Sequence, residues 1–296
     1  MQNDNLKNYL LLHFIVFIWG FTAVLGKLIT IEALPLVWYR MFLAAFCILI
    51  YIGFKKFSLK VPLKTLLILL VAGIVIALHW ITFFGAIKVS NVSVALATMA
   101  TGAFFGSLLE PLWYGRKIIG YEVVFGLIVI TGLYFMFNVN TAYSLGIILA
   151  LISALLGAIF TLINGQLIKT YKPSIIGFYE LSSGMIFITF YILFQTGFSV
   201  DFFDLSASDW GYLSILATIC TAYAFIASVK IMRFISPYTV LLTVNLEPVY
   251  GILLAYAIFG ESEKMNGMFY TGAVIILLTV IANGYLKNRS RLKRKG

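Results

Sequence analysis

Charge is scarce in this chain of 296 residues: only 11% are Asp, Glu, Lys or Arg, against about 25% in soluble globular proteins. With 62% hydrophobic residues beside that shortage, no soluble domain could cover so much apolar surface, and a bilayer is the implied solvent. Cysteine is almost absent. Cys47 and Cys220 each lie inside an apolar run, which reads them as small membrane residues, excludes a disulfide framework and leaves the redox compartment open. Histidine is confined to His13 and His79. There is no HExxH, no GxSxG elbow and no Gly-Lys-Ser/Thr phosphate loop, so enzyme chemistry finds little support and ATP cannot drive the chain directly. No metal and no cofactor is implied.

What the chain does have is long apolar runs. Ten reach membrane-spanning length, at 8–29, 34–54, 63–86, 91–113, 118–138, 144–168, 173–197, 209–231, 236–259 and 266–286, which makes an all-α membrane protein. The first is read as a retained span, because it is about 20 residues long and has no small-residue cleavage site behind it. If the N-terminus is cytoplasmic, Lys7, Lys55, Lys56, Lys60, Lys64, Arg116, Lys117, Lys169, Lys172, Lys230, Arg233 and six tail residues share that side. Only Lys27, Lys88 and Lys264 fall opposite. The expected topology is therefore N-in and C-in, in a plasma or inner membrane. The net charge of +10 then needs no nucleic acid, and the basic tail 287–295 reads as an anchor to anionic lipid.

Residues 89–117 overlay 234–262 at a spacing of 145 without a gap. Leu96/Leu241, Thr98/Thr243, Gly106/Gly251, Leu108/Leu253, Leu109/Leu254 and Gly115/Gly260 match. Five spans per half is an odd number, so the second half enters the membrane from the opposite side and the repeat is inverted, with halves 1–140 and 141–296 joined near 138–144. Such pairs build transporters that expose a central site to each face in turn.

The run Leu246-Glu247-Pro248-Val249-Tyr250-Gly251, followed by Gly260-Glu261 and a last span bearing Gly267 and Gly272, resembles the C-terminal signature of the EamA family of the drug/metabolite transporter superfamily. Trp19-Gly20 and Arg40 also resemble that family. The resemblance spans both halves and implies a ten-helix bundle that transports small organic solutes, often amino acids or other metabolites leaving the cell. The first half departs from the family pattern: Ala103 and Gly115-Arg116 stand at the places of a Pro and a Gly-Glu pair, while Glu110-Pro111 appears nearby. That departure argues against a symmetrical two-carboxylate mechanism.

Ionisable groups inside spans cost several kcal/mol unless a cavity or partner receives them. Glu247 lies near the middle of its span, and Pro248 kinks the helix and removes a backbone hydrogen bond beside it. It reads as a carboxylate for a substrate amine or a coupling proton, the alternative being a helix-packing Glu. Asn245, Thr243 and Tyr250 could add neutral hydrogen bonds. Arg40 and Glu180 occupy comparable places in the second span of each half, after Trp38-Tyr39 and Phe178-Tyr179. Arg40 reads as a ligand for a substrate carboxylate or as half of an ion pair, and Glu180 as a gating partner or pathway carboxylate. Glu110 reads as an interfacial charge reaching water or neighbouring bases. His79, beside Trp80, is either a hydrogen-bonded packing residue or a proton relay. Trp19, Trp80, Tyr179 and Tyr223 suit a cavity walled by rings, favouring apolar or aromatic solutes or a cationic amine. Small residues at 102–106, 153–158 and 182–184 read as helix-contact surfaces.

The expected protein is a secondary transporter of small metabolites, with membrane lipid and protons as further partners and the oligomeric state left open. An intramembrane enzyme acting on a lipid-linked substrate and a non-transporting membrane subunit are the alternatives.

Overall fold

The computed structural model describes residues 2–115, 120–137, 141–195 and 197–293. Arg116, Lys117, residues 138–140 of the expected join and the tail's Arg294 and Lys295 lie outside the described residues. The described chain is helical, with no strand among the described residues. The N-terminal part holds α1 (Gln2–Leu28), α2 (Ala33–Phe54), α3 (Leu63–Val89), α4 (Val92–Met99), α5 (Gly102–Tyr114) and α6 (Gly120–Phe137). The remainder holds α7 (Ser144–Leu167), α8 (Pro173–Gln195), α9 (Val200–Phe203), α10 (Ala207–Ala217), α11 (Ala224–Ile231), α12 (Pro237–Val244), α13 (Glu247–Phe259) and α14 (Gly267–Lys293).

Seven stretches among the described residues are long and apolar enough to cross a bilayer, where the sequence leads one to expect ten. They are Leu6–Leu28, Ala33–Phe54, Leu63–Val89, Val92–Tyr114, Ser144–Leu167, Pro173–Gln195 and Ala207–Ile231. Val124–Phe135 and Gly267–Thr279 are apolar but shorter, and the expected span 236–259 is divided between α12 and α13. Phe46, Leu67, Leu127, Phe194 and Leu278 stand exposed on the outside, an arrangement that fits lipid rather than water.

Helices stop where side chains or glycine supply an end. Asn91 Oδ1 accepts from Val94 N at 2.8 Å to start α4, and Ser206 Oγ accepts from Asp209 N at 3.1 Å to start α10, so each satisfies an otherwise orphaned N–H. Gly115 and Gly260 end α5 and α13 at φ of 68° and 59°, a region other residues enter at a cost. Inside the bundle α3 packs against α7 and α8, α1 against α13 and α6 against α14. The approach of α3 to α8 depends on Gly73, where a side-chain carbon would strike the Glu180 carbonyl and Ser183.

A cation closes the first helix of each part. Lys88 Nζ donates to Ile29 O just past α1, and Arg233 donates to Ile168 O and Tyr171 O just past α7, at 3.2 and 2.9 Å. Both satisfy carbonyls left free at a C-terminus. The end of the bundle that receives the C-terminus of α1 is laced shut. There Lys27 Nζ pairs with Glu263 at 2.7 Å, Glu263 accepts from Val92 N at 3.2 Å and Ser93 N at 2.8 Å, and Thr30 donates twice to the Asp209 carboxylate at 2.7 Å. Helix α7 begins at this same end, where Gly146 lies against Ser90. So α1 finishes where α7 starts.

Two helices are broken in the same way. Adding 145 to the bounds of α4 and α5 (92–99 and 102–114) gives 237–244 and 247–259, the bounds of α12 and α13. Their contacts are also reciprocal: Leu96 lies on Gly251 and Leu241 lies on Gly106, with no room for a side-chain carbon at either glycine until the leucine shifts. A third irregularity is a π-helical turn at Thr218–Tyr223, between α10 and α11.

Candidate functional site

The broken helices and the π turn meet around a central cavity of about 130 Å³. For scale, a dry engineered cavity of roughly 150 Å³ accepts benzene, so this one is close to that size. Its wall combines Trp19, Trp80, Phe83, Phe160 and Phe225 with the small residues Gly102, Ala103, Ala154, Gly157 and Ala158. The residues at 102–106 and 153–158, expected only as helix contacts, thus also make room for the cavity.

Arg40, Asn245 and Glu247 are its polar centre. Helix α2 is pinned just before Arg40: Trp38 Nε1 donates to Thr189 Oγ1 at 2.8 Å, and Tyr39 Oη donates to Phe202 O at 3.0 Å. The guanidinium lies 3.8 Å from the Trp80 ring centroid and 5.5 Å from that of Phe84, a cation–π setting. Its Nε donates to Thr221 Oγ1 at 2.6 Å, and Thr221 in turn donates to Leu216 O at 2.7 Å across the π turn. Arg40 Nη1 is buried with no hydrogen-bond partner.

Asn245 occupies the break between α12 and α13, and its Nδ2 is likewise buried and unpartnered. Glu247 opens α13, with Pro248 next to it at the first turn. An orphaned donor in a protein interior costs about 1–3 kcal/mol. Two of them lie around one cavity, beside a carboxylate, where the acceptor atoms of a ligand would satisfy both.

His79 faces the same space, and its Nδ1 lies 2.8 Å from Ser153 O. A carbonyl only accepts, so Nδ1 bears the hydrogen. The ring rests against Gly157, where a side-chain carbon would stand 3.1 Å from Cε1.

The other expected residues are placed elsewhere. Tyr179 is not part of the cavity wall; its hydroxyl donates to Leu59 O at 2.6 Å, which anchors the loop before α3. Tyr223 stands 47% exposed on the outside of the bundle, because the π turn directs Cys220 and Thr221 inward instead. Glu180 is fully buried and forms no ion pair with Arg40. It accepts from Asn164 Nδ2 at 3.0 Å. Glu110, expected to reach water or neighbouring bases, is 5% exposed. It lines a second hollow of about 410 Å³ with Tyr114, Lys169, Arg233 and Pro237, and Met232 lines both this hollow and the central cavity.

Cys220, Ser228 and Met232 are cavity residues that the sequence reading missed, as is Thr221, which holds Arg40 without lining the cavity. The only signal was the set of hydroxyls at Ser214, Thr218, Thr221 and Ser228 in an otherwise apolar run, and nothing in the pattern announces a π turn.

Two segments, residues 6–138 and 144–285, match the model of the EamA-like transporter family. An uncharacterized transporter named YxxF from Bacillus subtilis (strain 168) is 24% identical over 229 residues, covering 72% of this chain and 70% of that protein. Another uncharacterized transporter, from Archaeoglobus fulgidus, is 25% identical over 290 residues, covering 93% of this chain and 96% of its own. A solved structure, described only as the crystal structure of a protein, superposes with a TM-score of 0.66 over 93% of this chain and 95% of that chain. At 16% identity that likeness concerns the fold alone. A multi-pass helical bundle, a solute-sized cavity at its broken helices and a family match along both parts lead to one conclusion: this chain belongs to the EamA-like transporter family.

Proposed function

We propose that the protein is a secondary transporter of small zwitterionic metabolites, amino acids foremost, which it exports across a plasma or inner membrane by alternating access. The observation that carries this reading is the pair of unpartnered donors, Arg40 Nη1 and Asn245 Nδ2, on the cavity that also holds Glu247. Two N–H donors suit the two oxygens of a solute carboxylate. Glu247 suits an ammonium, and the ring-lined wall accepts an apolar side chain. The halves are read as five-helix repeats, 1–140 and 141–296, of inverted topology. The opposed directions of α1 and α7 and the reciprocal Leu–Gly contacts support that arrangement. The loop charges support cytoplasmic termini.

With one end laced by Lys27, Glu263 and Asp209, solute enters past Met232 from the basic, cytoplasmic side. Export then requires the Lys27–Glu263 and Thr30–Asp209 contacts to part while Met232 closes behind the solute. Solute gradients or a proton gradient supply the drive.

The test is flux into and out of proteoliposomes with a radiolabelled panel of neutral amino acids, simple amines and simple carboxylates. Saturable movement of the amino acids, and not of solutes with only one charged group, is expected. A folded protein that moves none of the panel in either direction overturns the reading.

A further inference from the structure

A carboxyl–amide pair lies behind the cavity wall, and solute binding leaves it unused. Glu180 on α8 and Asn164 on α7 are both fully buried. Asn164 Nδ2 donates to Glu180 Oε1 at 3.0 Å and to Phe160 O at 3.2 Å, which commits both amide hydrogens. Two atoms of the pair are left without partners: Glu180 Oε2 and Asn164 Oδ1.

No cation answers Glu180 among the described residues. On α2, Arg40 is held by Thr221 and Trp80, Tyr39 donates to Phe202 O, and Tyr51 is exposed against Phe57. On α3, His79 is bonded to Ser153, Lys88 to Ile29 O, and Lys64 is exposed. Lys230 on α11 is exposed, Cys220 in the π turn faces the cavity, and α7 carries no ionisable residue.

An ionised carboxylate here would be a buried charge with one neutral donor, which costs several kcal/mol. A single proton changes both deficits at once. On Oε2 it becomes the donor the pair lacks, and Asn164 Oδ1 is the free acceptor. A carboxylic acid and a primary amide join face to face through two such bonds, and one of the two is already present.

We propose that Glu180 and Asn164 form a proton-binding site separate from the solute cavity, in which an acid–amide pair holds the proton that couples transport to a pH gradient. The coupling part rests on the transporter reading above, whereas the binding of the proton does not. Asn164 lies one turn beyond Thr161 on α7, whose Ala154, Gly157, Ala158 and Thr161 line the cavity. A movement that parts α7 from α8 therefore opens Oε2 to the cavity's water. The proton leaves Oε2 for that water, and the reverse movement returns one; no other bond changes.

Infrared spectroscopy of the purified full chain near neutral pH tests the site without any solute. In the Glu247→Gln protein, which lacks the cavity carboxyl, the carbonyl stretch of a protonated carboxyl group is expected, and its loss when Glu180→Gln is added. The replacement amide keeps a donor for Asn164 Oδ1, so Glu180→Gln melts with the wild type. A spectrum of Glu247→Gln without that band at any pH that leaves the protein folded overturns the proposal, as does an undiminished band in the variant carrying both Glu247→Gln and Glu180→Gln. In proteoliposomes, accumulation of the amino-acid panel driven by an imposed pH gradient falls in Glu180→Gln to the level of protein-free vesicles; a wild-type response overturns the coupling. If the band behaves as expected while the whole panel is silent, the proton site stands and the solute reading fails.

Discussion

The break between α4 and α5 and the break between α12 and α13 fall at equivalent places 145 residues apart, yet only the second carries charge. At the first, Thr101 turns its backbone N and its Oγ1 onto the same carbonyl, Thr98 O, at 3.0 and 2.8 Å. Gly102 and Ala103 follow and give the cavity a bare wall. At the second, Leu246 N donates to Thr243 O at 3.0 Å, and no hydroxyl stands at the place of Thr101. Asn245 and Glu247 reach the cavity there instead. One backbone irregularity thus serves as plain wall between α4 and α5 and as polar lining between α12 and α13. Backbone shape and side-chain chemistry have separated.

The strongest way to break this comparison is to remove the charge. Glu247→Gln and Arg40→Met should each lower initial flux by about 10- to 100-fold, since a hydrogen bond to a charged group contributes roughly 1.5–3 kcal/mol. Flux near wild type in both variants would move the binding site elsewhere. The reciprocal glycines come next. A methyl at Gly251 meets Leu96 and also the backbone of Gly20, whereas at Gly106 it meets only the Leu241 side chain. Gly251→Ala should therefore cost about 1–3 kcal/mol, the usual range for overpacking, and Gly106→Ala clearly less, read from thermal melts in detergent. Equal losses would mean that the two contacts are equally rigid.

Thr101→Val probes the uncharged break, and losing one hydroxyl bond should lower stability by about 1 kcal/mol while flux persists. The smallest effect belongs to the turn after α13. There Lys264 donates to Glu261 at 3.3 Å, and that bond holds its ammonium above the ordinary lysine range. A raised value means that the contribution is present throughout the neutral range and fades only as pH rises past the usual lysine value. Because the pair is solvent-exposed, Lys264→Gln should lower the neutral-pH melt only slightly, and variant and wild type should converge as pH rises past the lysine range. A clear loss at neutral pH would show a structural role for this turn.

Much of this was legible in the chain itself. Apolar runs bounded by Gly, Pro and basic residues marked the helices, and Glu247, Arg40, Asn245, Trp19, Trp80 and His79 all line one cavity. The 145-residue overlay anticipated the paired helices, since two of its matches are Leu96/Leu241 and Gly106/Gly251, the residues that pack on each other. Rotation about helix axes was not legible. An apolar helix in a bilayer has no polar face to set its phase, so Tyr179 and Tyr223 could not be told from cavity residues by depth alone. The Asn164–Glu180 bond was hidden for another reason: 16 positions separate the partners along the chain, and the turn between α7 and α8 decides that they meet.

The π turn at Thr218–Tyr223 winds about one residue more than an α-helix would spend on the same rise. Each α-helical residue turns the chain by about 100°, so α11 leaves the turn out of phase with α10 by roughly that angle. Phe225, Ser228 and Met232 owe their inward aim to this offset. A chain one residue shorter between 218 and 223 could form a smoother helix, but it would swing that wall toward the lipid. A single inserted residue can thus decide which way a whole helix looks.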